Sequence, residues 1–142
     1  MASPQIEKGY TSIAHEILEE ICTYSFNASQ LSIIMTIWRY TYGFHRTKHD
    51  FSLSFFQQAT QLSDKAVRKE LTFLIESKVV KVHTEATRTA ARVLSFNKDY
   101  EKWMVPKRGG GKSMEQISLF DDEEVGNNST TPQVIEVGNN ST

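Results

Sequence analysis

The chain has 142 residues, 39% hydrophobic and 23% charged, with a formal net charge of −1, which bounds it to one folded domain of about 100 residues plus a tail. The near-neutrality conceals an asymmetry: residues 1–108 carry 15 Lys and Arg against 11 Asp and Glu, residues 109–142 carry 1 against 6, and residues 65–108 carry 11 against 5, a basic body with an acidic tail that suits a polyanionic partner. A single cysteine, Cys22, excludes an internal disulfide and a cysteine-built zinc site, and the longest apolar run, residues 31–38, is broken by Ser32 and Thr36 and is too short to span a bilayer, so a cytosolic protein with no membrane partner is expected.

Residues 1–10, with Pro4 and Gly9, read as an irregular arm. Thr11 or Ser12 can cap a first helix in which Ile13, Ile17, Leu18 and Ile21 make an apolar stripe while Glu16, Glu19 and Glu20 face water; it ends near Tyr24. Asn27 or Ser29 starts a second helix through Leu31, Ile34, Met35, Trp38 and Tyr42, the most hydrophobic of the chain and therefore its central core helix, and Gly43 stands at the usual C-terminal stop. Trp38, Tyr40 and Tyr42 have an alternative reading as a base-stacking platform, but their helical spacing favours core packing. His45 and His49 have the spacing of two metal ligands on a helix face, yet they follow Gly43 in a loop without a third soft ligand, so no metal is expected.

Ser52 or Ser54 caps a short helix over residues 51–60 with Phe55, Phe56 and Ala59 facing inward, and residues 61–63 make a tight turn. Ser63 or Asp64 then caps a helix whose Val67, Leu71, Leu74 and Ile75 fall at i, i+4, i+7 and i+8, a core stripe. Lys65, Lys69 and Thr72 lie opposite that stripe and Arg68 on its flank. A cationic, hydroxyl-bearing face suits a DNA groove, although a solvated face on any amphipathic helix looks alike. Residues 79–84 alternate, sending Val80 and Val82 one way and Lys81 and His83 the other, as in a half-buried strand. A second strand, residues 92–96, returns after a polar connection with Thr87, Arg88 and Thr89 at its tip, where a phosphate-contacting wing needs donors.

Residues 97–105, with Tyr100, Trp103 and Met104, are expected to close the domain as a last short helix, and Pro106 marks its boundary. Helix, turn, helix, hairpin is the order of a winged helix. The fold expected is therefore mainly α with a small β-hairpin: a winged helix-turn-helix domain over residues 11–105, after an arm of residues 1–10 and before a flexible acidic tail of residues 106–142. Ile13, Ile17, Leu31, Ile34, Trp38, Phe55, Val67, Leu71, Leu74 and Val82 are the expected core. The candidate DNA-binding residues are Ser63, Lys65, Arg68, Lys69 and Thr72 on the helix and Lys81, His83, Thr87, Arg88 and Arg92 on the hairpin. Lys65, Arg68 and Lys69 are expected at the major groove, with Arg88 and Arg92 on phosphates.

From Lys107 onward the composition turns to Gly, Ser, Asn, Thr and acid, that of a segment unable to bury enough apolar surface to order itself. Residues 109–113, Gly-Gly-Gly-Lys-Ser, lack the first glycine, the preceding strand and the following helix of a phosphate loop, so a linker is expected there. No serine, cysteine or carboxylate pair forms a recognisable catalytic signature, and neither an enzyme nor a cofactor is expected. The heptapeptide at 124–130 recurs unchanged at 136–142. So short a polar repeat is no solenoid unit, and it predicts that the gene itself carries tandem DNA repeats. Gln116, Ile117, Ser118, Leu119 and Phe120 form an apolar island ahead of Asp121, Asp122, Glu123 and Glu124, the pattern of a docking peptide.

The arm Pro4, Gln5, Ile6, Glu7, Lys8, Gly9, Tyr10 and Thr11, the following Ile13, Ala14, Glu16, Ile17 and Leu18, then Thr41, Tyr42, Gly43, Phe44, Asp50, Ser52, Leu53, Ser54, Ala59 and Thr60 with the cationic helix carry a resemblance. Over roughly residues 3–104 the chain resembles the phage replication protein O family, the origin-binding domain of phage and prophage initiators. The resemblance implies a winged helix that binds repeated duplex sites at a replication origin, often as a homodimer, with a C-terminal part that recruits replication proteins. The departure is a tail too short for a second folded partner-binding domain. Separately, residues 116–120 are similar to the bacterial sliding-clamp-binding peptide, with Ile117 in place of its leucine, which implies the polymerase sliding clamp or another replisome protein as partner. Alternatives on the same domain are a winged-helix transcriptional regulator and a protein-interaction module of the replisome.

Overall fold

The computed structural model describes residues 1–109, of which residues 1–106 form one compact unit. The readings made on residues 110–142 (the linker, the repeat and the docking peptide) lie outside the described residues. The arm is mostly extended with one 3-10 turn, Ile6–Lys8. Helix α1 (His15–Ile21) starts after Ala14 with no side-chain cap, in place of the expected Thr11 or Ser12. It buries Ile17 and Ile21, while Leu18 is turned outward. Helix α2 (Ala28–Thr41) has a reciprocal cap: the Asn27 side chain accepts from the Gln30 N–H, and the Gln30 side chain accepts from the Asn27 N–H. Its Ile33, Ile34 and Ile37 are fully buried, which makes it the central helix, whereas the expected Met35 points to solvent. Trp38 is core, edge-on to Phe96 at 5.3 Å.

The chain leaves α2 through a second 3-10 turn, Tyr42–Phe44. Gly43 is not the left-handed stop that its position predicts; His45 takes that conformation at φ 58°. What Gly43 supplies is room, because a Cβ there would lie 2.9 Å from Thr11 Oγ1 and 3.3 Å from Arg39 Nη1.

Strand β1 (Lys48–Phe51) follows, where a loop was expected. It pairs antiparallel with β3 (Arg92–Phe96), which pairs on its other side with β2 (Val80–Thr84), giving a three-stranded sheet in the order β1-β3-β2 in place of a lone hairpin. β3 lies in the middle, so Leu94, Ser95 and Phe96 are all buried and its alternation is lost. Val80 is buried and Val82 half-buried on β2, as the alternation predicts.

Helix α3 (Leu53–Thr60) is capped by Ser52, whose hydroxyl accepts from the Phe55 N–H. Phe56 is fully buried, Phe55 half-buried, and Ala59 faces outward against expectation. Helix α4 (Asp64–Glu76) is capped by Ser63 and buries Val67, Leu71 and Leu74, with Ile75 half-buried. Ile13, Leu31, Phe55 and Val82 pack on the core edge as half-buried members. The last short helix is one 3-10 turn, Tyr100–Lys102, followed by Trp103 in extended conformation. Trp103 closes the core with aromatic contacts to Tyr24, Phe26 and Phe96 and donates its indole N–H to the Asn97 carbonyl at 2.8 Å. Tyr100 donates its hydroxyl to Glu16, tying this turn to α1 and pushing its own pKa up to about 12.

Candidate nucleic-acid interface

The surface begins with the turn between α3 and α4. Gln61 ends α3 in the left-handed conformation, φ 62°, and donates its N–H to the Gln57 carbonyl at 2.8 Å. The Leu62 N–H reaches Thr60 Oγ1 at 3.3 Å. Asp64, in the first turn of α4 where a negative charge complements the helix dipole, accepts from Gln57 Nε2 at 3.2 Å and from Arg68 Nε at 2.8 Å. Three residues thus join two helices at a fixed angle.

Lys65, Arg68, Lys69 and Thr72 fall at i, i+3, i+4 and i+7 and are all exposed, one continuous stripe opposite the buried Val67, Leu71 and Leu74. Among the described residues, Arg68 is the one of the four with an ion-pair partner. Its side chain and that of Asp64 are 63% and 53% exposed, so the pair competes weakly with a phosphate. Ser63 is exposed with its oxygen committed to the Ala66 N–H.

The orientation of this stripe depends on a residue that the sequence reading missed. Glu70 is 9% exposed; one carboxylate oxygen accepts from Gln30 Nε2 at 2.9 Å and the other from Asn27 Nδ2 at 3.4 Å. The residues that cap α2 therefore also hold α4, fixing its rotation about its own axis. The signal was present: Glu70 stands between Val67 and Leu74 at core spacing, and an acid on an apolar stripe needs a partner inside.

The hairpin residues form a second group. Lys81 and His83 are exposed on β2, with His83 Nε2 2.7 Å from Ser95 Oγ. The Thr87 hydroxyl oxygen accepts from the Thr89 and Ala90 N–H groups, and the Thr87 N–H donates to the Ala90 carbonyl. That oxygen shapes the tip. Arg88 is exposed beside it. Arg92, on β3, is held by Glu85 at 3.3 Å, with side-chain exposures of 35% and 74%. A register shift between Val82 and Thr84 twists this end of the hairpin. Among the described residues no His, Cys, Asp and Glu group could hold a metal, and no helix is long and apolar enough to cross a membrane.

Residues 3–103 match the sequence model of the bacteriophage replication protein O family. The chain is similar to DNA replication protein gp18 of Salmonella phage P22, 29% identical over 109 residues that cover 77% of this chain and 38% of that protein. No solved structure matches.

Proposed function

The chain belongs to the bacteriophage replication protein O family, and from that membership we propose that it acts in phage DNA replication, in the host cytosol, as a non-enzymatic initiator binding duplex origin DNA. In this reading α3, the turn and α4 are the helix-turn-helix, α4 is the recognition helix, and the β2–β3 hairpin is the wing of a winged helix. The observation that carries it is the exposed stripe of Lys65, Arg68, Lys69 and Thr72 on a helix whose rotation is fixed by a buried carboxylate. The stripe enters the major groove, and Arg88, Lys81 and the hydroxyl of Thr87 hold phosphates. Arg92 joins them by exchanging Glu85 for the backbone.

The chain spans 38% of the length of the P22 relative, and its recruitment role is placed in residues 116–120. There Leu119 and Phe120 fill one apolar pocket of the sliding clamp, Gln116 hydrogen-bonds at a second, polar site, and Ile117 and Ser118 span the gap between them. Two tails of a DNA-bound homodimer raise the avidity of an individually weak, roughly micromolar contact. The origin sites are the tandem repeats that encode residues 124–130 and 136–142.

Titration of the full chain with duplex from this coding region tests the reading. Alanine at Lys65, Arg68 or Lys69 is expected to cost about 1 to 3 kcal/mol where a base contact is lost and to relax specificity. Alanine at Arg88 lowers the salt slope by about one unit with little change in specificity. Intact binding after all four substitutions contradicts the assignment of this surface.

A further inference from the structure

At the C-terminal end of α2 the chain builds a second cationic surface, beside β1, at the sheet edge opposite β2. Arg39 Cζ lies 5.0 Å from the ring centroids of both Tyr40 and Phe44, and Arg46 Cζ lies 5.0 Å from that of Phe44. The Phe44 and Tyr40 rings are stacked, 5.9 Å apart at 22°. Tyr40 is anchored inward, edge-on to Phe55 at 4.8 Å, whereas Phe44 is 50% exposed.

Both arginines are arranged by backbone features. Arg39 lies across the turn where Gly43 has no side chain; a Cβ there would crowd its Nη1 at 3.3 Å. The left-handed His45 turns the chain back so that the Arg46 N–H meets the Thr41 carbonyl, and Arg46 Nε donates to the Tyr40 carbonyl at 3.0 Å. A non-glycine residue in that conformation carries a cost, and here it places a guanidinium over an exposed ring. Neither arginine has a carboxylate within ion-pairing distance among the described residues. Asp50, the acid on residues 39–50, pairs with His49 at 3.3 Å, and Lys48 adds a further exposed positive charge.

Guanidinium groups held 5.0 Å over aromatic rings, with N–H groups at their rim, fit a chain that offers flat faces and phosphates together. Duplex DNA offers phosphates with its base faces hidden, so the ligand that uses both features is unpaired. We propose that Arg39, Phe44 and Arg46 form a single-stranded DNA site, in which bases stack on the guanidinium groups that Phe44 supports and phosphates meet the guanidinium rims. The site lies outside the α4 stripe, so an initiator of this form holds duplex through one surface and a strand of opened duplex through the other. The assignment is independent of the duplex reading.

Anisotropy of the full chain with a labelled thymidine oligomer of about 20 nucleotides tests it, alongside an abasic oligomer, a uridine oligomer and a duplex of the same length. R39Q/R46Q and F44A are expected to weaken thymidine-oligomer binding by about ten-fold, the scale of a lost stacked base, and duplex binding less than about two-fold. The variant with alanine at Lys65, Arg68 and Lys69 does the reverse, which separates failure of either assignment from failure of the other. R39K/R46K keeps the charge and removes the planes, so it is expected to weaken thymidine-oligomer binding as well, though less than R39Q/R46Q. Thermal melts confirm that each variant folds. Wild-type affinity in R39K/R46K or F44A, equal binding of the abasic oligomer, or tighter binding of the uridine oligomer overturns the proposal. So does equal affinity for a Glu-rich peptide, which assigns the cluster to an acidic protein partner.

Discussion

Glu70 shows what one buried carboxyl group does for the placement of a helix face. With Gln30 and Asn27 it joins the cap of α2 to the face of α4, and removing it strands the Gln30 amide inside. Glu70→Ala is expected to cost about 1 to 3 kcal/mol in urea unfolding and, on the proposed reading, to lower duplex affinity although Glu70 is buried; unchanged stability contradicts the network. Two other residues contribute to the pH dependence. Burial, with Arg46 nearby, holds His49 below its ordinary 6.5, Asp50 opposing. The unfolded chain then takes up a proton more readily than the folded one, and stability falls as pH drops below about 6.5. Burial pushes Tyr42 up to about 12 from 10.0, so its share of stability is complete below pH 10 and is lost as pH rises toward 12. Thermal melts from pH 5 to 12 check both arms, and Tyr42→Phe is expected to make the alkaline one shallower, with Tyr100 and Tyr24, whose pKa values are also raised, keeping the rest. The Lys65, Arg68, Lys69 and Thr72 stripe was legible from spacing alone, because helical period fixes which residues share a face. Arg39, Phe44 and Arg46 were not, since they meet only through a turn and a left-handed His45.

The elements divide in the same way. The caps at Asn27, Ser52 and Ser63 were readable because each offers a side-chain oxygen just before an apolar-periodic run. α1 was misread at its start: Ala14 precedes the helix, and Thr11 lies against the Gly43 turn instead. β1 gave no signal, since Lys48, His49 and Asp50 have neither alternation nor β-branching. Pairing with the central β3 makes it a strand, and Phe51, 3% exposed, anchors it against Phe56 at 5.1 Å. Phe51→Ala is therefore expected to cost about 3 to 5 kcal/mol, measured by chemical denaturation. A cost below about 1 kcal/mol contradicts β1 as part of the core. Leu18, Met35 and Ala59 were misassigned because a stripe predicts direction on a helix, and the neighbours decide how wide the covered arc is.

Across the whole molecule, charge separates a basic body from an acidic C-terminal part, and the family match covers the body. Residues 116–120 lie outside the described residues and follow from their motif; full chain is expected to bind the sliding clamp at about micromolar strength, and Leu119→Ala with Phe120→Ala to abolish it. Equal binding by that variant contradicts the docking peptide. The central claim is duplex origin recognition through α4. A footprint of the full chain on its own gene and flanks tests it most directly. Protection is predicted over the repeats encoding residues 124–130 and 136–142, and it should be lost with alanine at Lys65, Arg68 and Lys69. Absence of protection anywhere on that DNA at low salt, or a footprint unchanged in the variant, contradicts it.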